Sequence, residues 1–207
     1  MKVETLRRTQ ELEGTPEEVF PFFADAHNLE AITPPLLRFR VLTPRPIEMR
    51  TGALIEYRLR IRGIPIRWKT RIEEWSPSTR FVDRQLSGPY RLWHHTHDFE
   101  PLPGGRTLMT DTVRYSVGFG PAGALAQRLF VDRDVAAIFD YRASVIGPLL
   151  AADIERRAAA AQTARRPSKT RLTPGRSPGV SARWLQATWP SGPTITRARL
   201  LIPPGSK

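Results

Sequence analysis

The sequence predicts an α+β domain in which a curved antiparallel sheet wraps one long helix, and three observations carry that prediction. Between residues 38 and 117 apolar side chains alternate with polar ones over several segments, the period of strands with one buried face. Turn residues rich in glycine and proline separate these segments, so successive strands pair as hairpins in an antiparallel meander. Past Gly118 the apolar spacing lengthens to three, four and seven residues, which places those side chains on one face of a helix. A sheet with one apolar face and a helix with one apolar stripe bury each other.

The elements follow in chain order. An early strand leads to Gly14-Thr15-Pro16-Glu17-Glu18, where Thr15 suits a helix cap, Pro16 the first helical position and Glu18 a capping box. A helix therefore starts near residue 16, with Val19, Phe20, Phe22 and Phe23 as its apolar content and Pro21 expected to kink or shorten it. Asn28 to Thr33 reads as a second short helix stopped by Pro34-Pro35. Ile55, Tyr57, Leu59 and Ile61 then alternate with charged residues, and beyond Gly63-Ile64 the buried parity passes to Ile66, Trp68, Thr70 and Ile72. A two-residue turn at Gly63-Ile64 accounts for that switch and sets Arg62 opposite Pro65 and Leu59 opposite Trp68. Strands are expected around Phe81 to Leu86, Arg91 to Glu100 and Thr107 to Val117, with Ser87-Gly88-Pro89 and Pro103-Gly104-Gly105 between them. The final helix begins near Pro121, carries Leu125, Leu129, Ala136, Phe139, Ile146 and Leu149 or Leu150, and meets Pro148 late in its course.

Composition narrows the chemistry. The 207 residues include 32 Lys and Arg, 20 Asp and Glu and no Cys, for a formal charge of +12. Without cysteine there is no disulfide framework, no thiolate nucleophile and no cysteine-containing zinc site. From Thr163 onward the chain holds nine basic residues and no acidic one, amid Pro, Gly, Ser and Thr. Most of the charge thus belongs to a basic, proline-rich tail, 161–207, predicted to lack regular structure. The remaining domain, 1–160, is nearly balanced in charge and calls for no polyanionic partner. Nucleic acid or an anionic membrane enters the prediction through the tail alone. No run of about 18 apolar residues occurs and the first residues do not form a signal-peptide segment, so a soluble, cytoplasmic protein is expected.

Several motifs now become informative together with the order of elements. Pro16-Glu17-Glu18-Val19-Phe20, Asn28-Leu29-Glu30-Ala31-Ile32-Thr33-Pro34-Pro35, Gly88-Pro89-Tyr90, Trp93-His94-His95-Thr96-His97-Asp98-Phe99 and Phe139-Asp140-Tyr141-Arg142 stand in this sequence. In that order the chain resembles the START-like, Bet v 1-like (SRPBCC) superfamily, near its polyketide cyclase/dehydrase and coenzyme-Q-binding branches. The resemblance covers about residues 1 to 155 and implies a helix-grip fold enclosing an apolar cavity. It further implies a lipid, a quinone or a polyketide-like molecule as ligand, bound by most members without catalysis and with no cofactor. An aromatase/cyclase- or dehydratase-like enzyme using the same cavity is the alternative.

The residues themselves mark a candidate site. His95 and His97 share the strand face of Trp93 and Phe99, and Asp111 has the inward parity of Met109, Val113 and Tyr115 on the next strand. A hairpin closing around Pro103-Gly104 sets His95 opposite Asp111, and a slip of two residues sets His97 there instead. Such a pair can serve as a structural polar network, as a device that orients a ligand carbonyl or hydroxyl, or as an acid/base with Asp111 or Asp83 as orienter. The His-x-His spacing also suits a metal, but no third ligand is evident and no metal is expected. Tyr57, Trp68, Asp83, Gln85 and Tyr115 have inward parity and complete the expected lining, with Met109 and with Phe139 from the final helix. Gly118-Phe119-Gly120-Pro121-Ala122-Gly123 matches a dinucleotide fingerprint in letters only, because the parallel βαβ unit that fingerprint requires is missing.

Overall fold

The computed structural model of the protein describes residues 2–118 and 130–165. The chain divides into two units, Met1–Pro167 and Ser168–Lys207, and the second lies wholly outside the described residues. Of the tail expected over 161–207, residues 161–165 continue the last helix and the part from residue 166 onward lies outside the described residues, as do the glycine-rich motif past Gly118 and the expected helical positions Leu125 and Leu129.

Strand β1 (Glu4–Glu13) precedes helix α1 (Pro16–Ala24) and two 3-10 turns, Ala26–Glu30 and Pro35–Leu37. Strands β2 (Arg40–Val41), β3 (Leu54–Ile61), β4 (Ile64–Ser76), β5 (Arg80–Ser87), β6 (Leu92–Leu102) and β7 (Arg106–Ser116) follow, and then helix α2 (Asp132–Arg165). All strands among the described residues join one seven-stranded antiparallel sheet in the order β1-β7-β6-β5-β4-β3-β2, so the meander runs unbroken from β2 to β7 and β1 completes it beside β7.

Local chemistry explains most boundaries. The Thr15 amide donates to Glu18 Oε2 at 2.9 Å, and the Thr15 carbonyl accepts from Glu18 and Val19, so the start of α1 satisfies its free backbone groups. Pro21 does not stop α1, which continues to Ala24 with Phe20, Phe22 and Phe23 buried. The second expected helix is a 3-10 turn that begins at Ala26 rather than Asn28 and ends at Glu30, because Asp25 accepts from the His27 amide and caps it two residues early. Helix α2 runs to Arg165, beyond the expected domain end, with Pro148 inside it.

Two hairpin registers depart from the simplest expectation. The β3–β4 turn is Arg62-Gly63, with φ of 50° and 84°, which is the pair of positive values that a type I′ turn demands. Ile61 therefore pairs with Ile64, Leu59 with Ile66 and Tyr57 with Trp68; the expected pairing of Leu59 with Trp68 is two residues off. Parity survives the shift, since both registers bury Trp68 and Ile72. The β6–β7 loop is Pro103-Gly104-Gly105, which sets His97 opposite Asp111 and His95 opposite Val113.

The concave face of the sheet divides into two territories. Toward one end, Leu12, Phe20, Phe22, Phe23, Phe81, Phe99, Met109, Ile146 and Leu150 make a filled apolar core. Toward the other, Ile55, Tyr57, Leu59, Trp68 and Ile72 form a second cluster, with Trp93 and Phe39 packed against it. Helix α2 covers the sheet with a stripe of Val135, Phe139, Arg142, Ile146 and Leu150, all at most 8% exposed. By length and composition this helix would suffice to cross a membrane, but that buried stripe makes it the core helix of the grip.

Candidate functional site

Between the concave face, α1, the 3-10 turns and α2 lies a cavity of about 130 Å3. Its wall is largely apolar and aromatic, including Phe22, Phe23, Ile32, Leu37, Phe39, Met49, Ile55, Leu59, Phe81 and Ile138. Of the residues singled out from sequence, Tyr57, Trp68, Asp83, Trp93, His95 and His97 line it. The Tyr57 hydroxyl and Thr70 Oγ1 are 2.7 Å apart, and the Trp68 indole N–H donates to the same Thr70 oxygen at 3.1 Å. The two large rings thus keep their polar atoms satisfied while presenting flat faces to the space.

The polar heart of the wall is a ladder of four titratable side chains on three adjacent strands. Asp83 on β5 stands opposite His95 on β6, and His97 on β6 stands opposite Asp111 on β7. The hydrogen bonds run along the diagonals: His95 Nε2 lies 2.9 Å from Asp111 Oδ1, and His97 Nε2 lies 3.2 Å from Asp83 Oδ2. His97 Nδ1 lies 2.8 Å from Asp111 Oδ1 without a hydrogen-bonded alignment, so that contact is ionic. Both rings are 4% exposed, His97 stacks on Phe81 with centroids 3.9 Å apart, and the two imidazoles lie 3.7 Å apart.

Burial next to two carboxylates splits the histidines. Burial lowers the pKa of His95, the positive charge of His97 lowers it further, and Asp111 opposes without prevailing. Burial also acts to lower His97, but Asp111 and then Asp83 outweigh it and the net direction is upward. Burial would raise both aspartates; their bonds to the imidazoles outweigh it and hold Asp83 and Asp111 below the usual carboxylate range. Tyr57 is pushed up by burial and by Asp83, so its hydroxyl stays protonated. Because Asp111 is ionised, the proton on neutral His95 sits on Nε2, and Nδ1 keeps its lone pair.

The remaining expected lining residues lie elsewhere. Gln85 Nε2 donates to the Tyr90 carbonyl at 2.5 Å and Gln85 Oε1 accepts from the Tyr90 amide at 3.3 Å, so this side chain clamps the β5–β6 loop instead. Gly88 permits the clamp, since a Cβ there would sit 2.4 Å from Gln85 Oε1. Met109 fills the apolar core among the phenylalanines. Tyr115 donates to Asp132 Oδ1 at 3.0 Å and packs with Val113, Val135 and Phe139 in a third cluster. Phe139 is not part of the cavity lining and meets the site through its edge contact with His95, at 5.3 Å, and through the Arg142 guanidinium, while Asp111 bonds the His95 imidazole without lining the cavity itself.

Two features escaped the sequence reading. Asp83, His95 and His97 each offer a ligand atom, all within 4.8 Å of one another, so the third donor that His-x-His lacks along the chain comes from the neighbouring strand. Those atoms are occupied with one another, however, and the guanidinium of Arg142 lines the same cavity, an unfavourable setting for a cation. Arg142 itself is the second feature. Its spacing in Val135, Phe139, Arg142 and Ile146 is that of a buried helix face, a signal present in the sequence and not used.

A family model described as polyketide cyclase / dehydrase and lipid transport matches residues 4–145. Comparison with curated protein sequences finds no match. Among solved structures, the chain is similar to the Zhui aromatase/cyclase from Streptomyces sp. R1128, with 17% identity, a TM-score of 0.60 and coverage of 77% of this chain and 98% of that one. It is also similar to a START superfamily protein from Mycobacterium smegmatis, with 12% identity, a TM-score of 0.53 and coverage of 69% and 96%. A norcoclaurine synthase from Thalictrum flavum shares 11% identity, with a TM-score of 0.51 and coverage of 70% and 94%. At these identities the structural likeness speaks for the fold, a helix-grip around a long C-terminal helix.

Proposed function

Since the chain belongs to the polyketide cyclase/dehydrase and lipid transport family, we propose that it binds one small hydrophobic molecule in the cavity between the sheet and α2. The observation that carries this reading is the wall itself: aromatic and aliphatic faces around a few convergent polar groups, the composition of a small-molecule site. A cavity of about 130 Å3 is on the scale that holds one aromatic ring. Long lipid or quinone tails would have to extend out of it, so the ring-bearing end of a ligand suits the enclosed part. The protein acts in the cytoplasm as a carrier or sensor of such a molecule.

Binding energy comes from burial of ligand apolar surface against Tyr57, Trp68 and Phe39, and orientation comes from the polar ladder. Three of the four imidazole nitrogens already lie against carboxylates at 3.2 Å or less, which fixes the rings as part of the wall. Mass spectrometry of organic extracts from the purified protein tests the reading. One hydrophobic compound recovered unchanged at a stoichiometric level is expected, and a protein that yields none and takes up no aromatic probe contradicts it.

One observation favours a second reading, an aromatase/cyclase- or dehydratase-like enzyme. His95 lines the cavity, burial and the charge of His97 keep its ring neutral, Asp111 orients it, and its Nδ1 makes no hydrogen bond among the described residues, with Asp83 Oδ2 3.4 Å away. A base so placed can take a proton from a ligand hydroxyl or α-carbon, with Asp111 stabilising the imidazolium that forms. Turnover of a polyketide-like substrate that His95→Ala abolishes while binding persists would establish this role.

A further inference from the structure

The cavity reading leaves one buried charge without a hydrogen-bonded partner among the described residues. Arg142 projects from α2 into the cavity wall, is 8% exposed, and has its guanidinium 4.9 Å from the centre of the Phe139 ring. Its Nε and Nη1 atoms are buried and have no hydrogen-bond partner among the described residues. A buried guanidinium ordinarily binds a carboxylate or carbonyl through its planar fork, because donors removed from water without an acceptor are costly. Asp83, the carboxylate that shares the cavity wall with it, feels the charge of Arg142 but is bonded to His97, so the fork itself has no acceptor among the described residues. The protein thus holds a cationic fork without an acceptor at the wall of a largely apolar space.

A second observation points the same way. A groove of about 620 Å3 shares Thr33 and Phe39 with the cavity, so the two spaces adjoin. Arg38, Arg58 and Arg60 line that groove, and none of them enters an ion pair among the described residues. Unpaired arginines at the approach to a site attract anions and raise their local concentration. Resting on the cavity reading, we propose that the ligand is an aromatic carboxylate, its ring against Tyr57 and Trp68 and its acid group held by the Arg142 fork.

The test compares 4-methylbenzoate with 4-methylbenzamide, two single-ring probes of nearly equal size that differ in charge. Binding is read by NMR from the indole N–H resonance of Trp68, which lines the cavity and donates to Thr70. The acid is expected to bind about ten-fold more tightly than the amide, the scale of a charge-assisted contact over a neutral one. Arg142→Met should erase that preference by weakening the acid far more than the amide, and Arg142→Lys should keep part of it. Equal affinities in the unaltered protein, or a preference that persists in Arg142→Met, overturn the carboxylate assignment while the apolar cavity reading stands. If neither probe moves the Trp68 resonance, both fall. Should Arg142→Met not fold, the acid-to-amide ratio in the unaltered protein and in Arg142→Lys decides.

Discussion

One helix covers two very different halves of the same concave sheet. Where Ile146 and Leu150 of α2 meet it, the space is filled by Phe20, Phe22, Phe23, Phe81 and Phe99, with edge-on rings such as Phe20 and Phe99 only 5.3 Å apart. About one and two turns earlier the helix presents Arg142 and Ile138, and the space remains open beside Asp83, His95 and His97. The first half spends its apolar area on packing. In the second the sequence keeps charged groups where packing alone would select leucine, and such positions are those where a fold gives up stability for a ligand.

That contrast predicts four results. Phe20→Ala strikes the filled half, where Phe20 is 4% exposed and touches Trp75, Phe81 and Phe99. It should cost about 4 kcal/mol in urea denaturation, the scale of a large cavity in a close-packed core. Asp111→Ala strikes the polar half and leaves two buried imidazoles without their shared acceptor; a loss of about 3 kcal/mol is expected by the same measurement. Arg142→Met goes the other way. Replacing an unsatisfied buried cation by an apolar side chain of similar length should raise stability by about 1 kcal/mol, and a loss of that size would show that Arg142 serves packing rather than a ligand.

The fourth prediction concerns pH and is the smallest in effect. His97 has a folded pKa above its unfolded value of about 6.5, so its stabilisation is complete below that pH and is lost as pH rises through the folded value. His95, shifted down, favours the fold above about 6.5 and loses that contribution as the pH falls. Asp83 and Asp111 lose theirs only as acid takes the pH below about 3.9 and on through their lowered folded values. The melting temperature should therefore decline on both sides of the His95 and His97 titrations. In Asp111→Asn, which removes the main upward pull on His97, the alkaline decline should shrink, as thermal unfolding followed by circular dichroism would register.

The inward face that both halves share was legible in the sequence. Period two placed Tyr57, Trp68, Asp83, His95, His97 and Asp111 on one face, and all six do point to the concave side. Register was less legible, because Arg62-Gly63 and Gly63-Ile64 both satisfy the same parity, and only the backbone shows Arg62 accepting a left-handed conformation. Gln85 had the right parity and the wrong destination. Its amide matches the free backbone groups of Tyr90 in a loop that Gly88 lets it approach, a pairing between positions five residues apart that no periodicity encodes. Arg142 was in plain view at the spacing of a buried helical stripe, but hydrophobic periodicity picks out apolar positions and passes over a charged one.

The sequence by itself determined the alternation of faces, the hairpin order and the apolar stripe of α2, because these depend on the geometry of neighbouring residues along the chain. The two halves of the sheet were decided by tertiary structure alone. Whether a phenylalanine closes a space or lines one depends on which side chains arrive from α1 and α2, more than a hundred residues apart in the chain. The same holds for the ladder of Asp83, His95, His97 and Asp111: each residue faces inward by local parity, but which imidazole meets which carboxylate follows from strand register and side-chain reach.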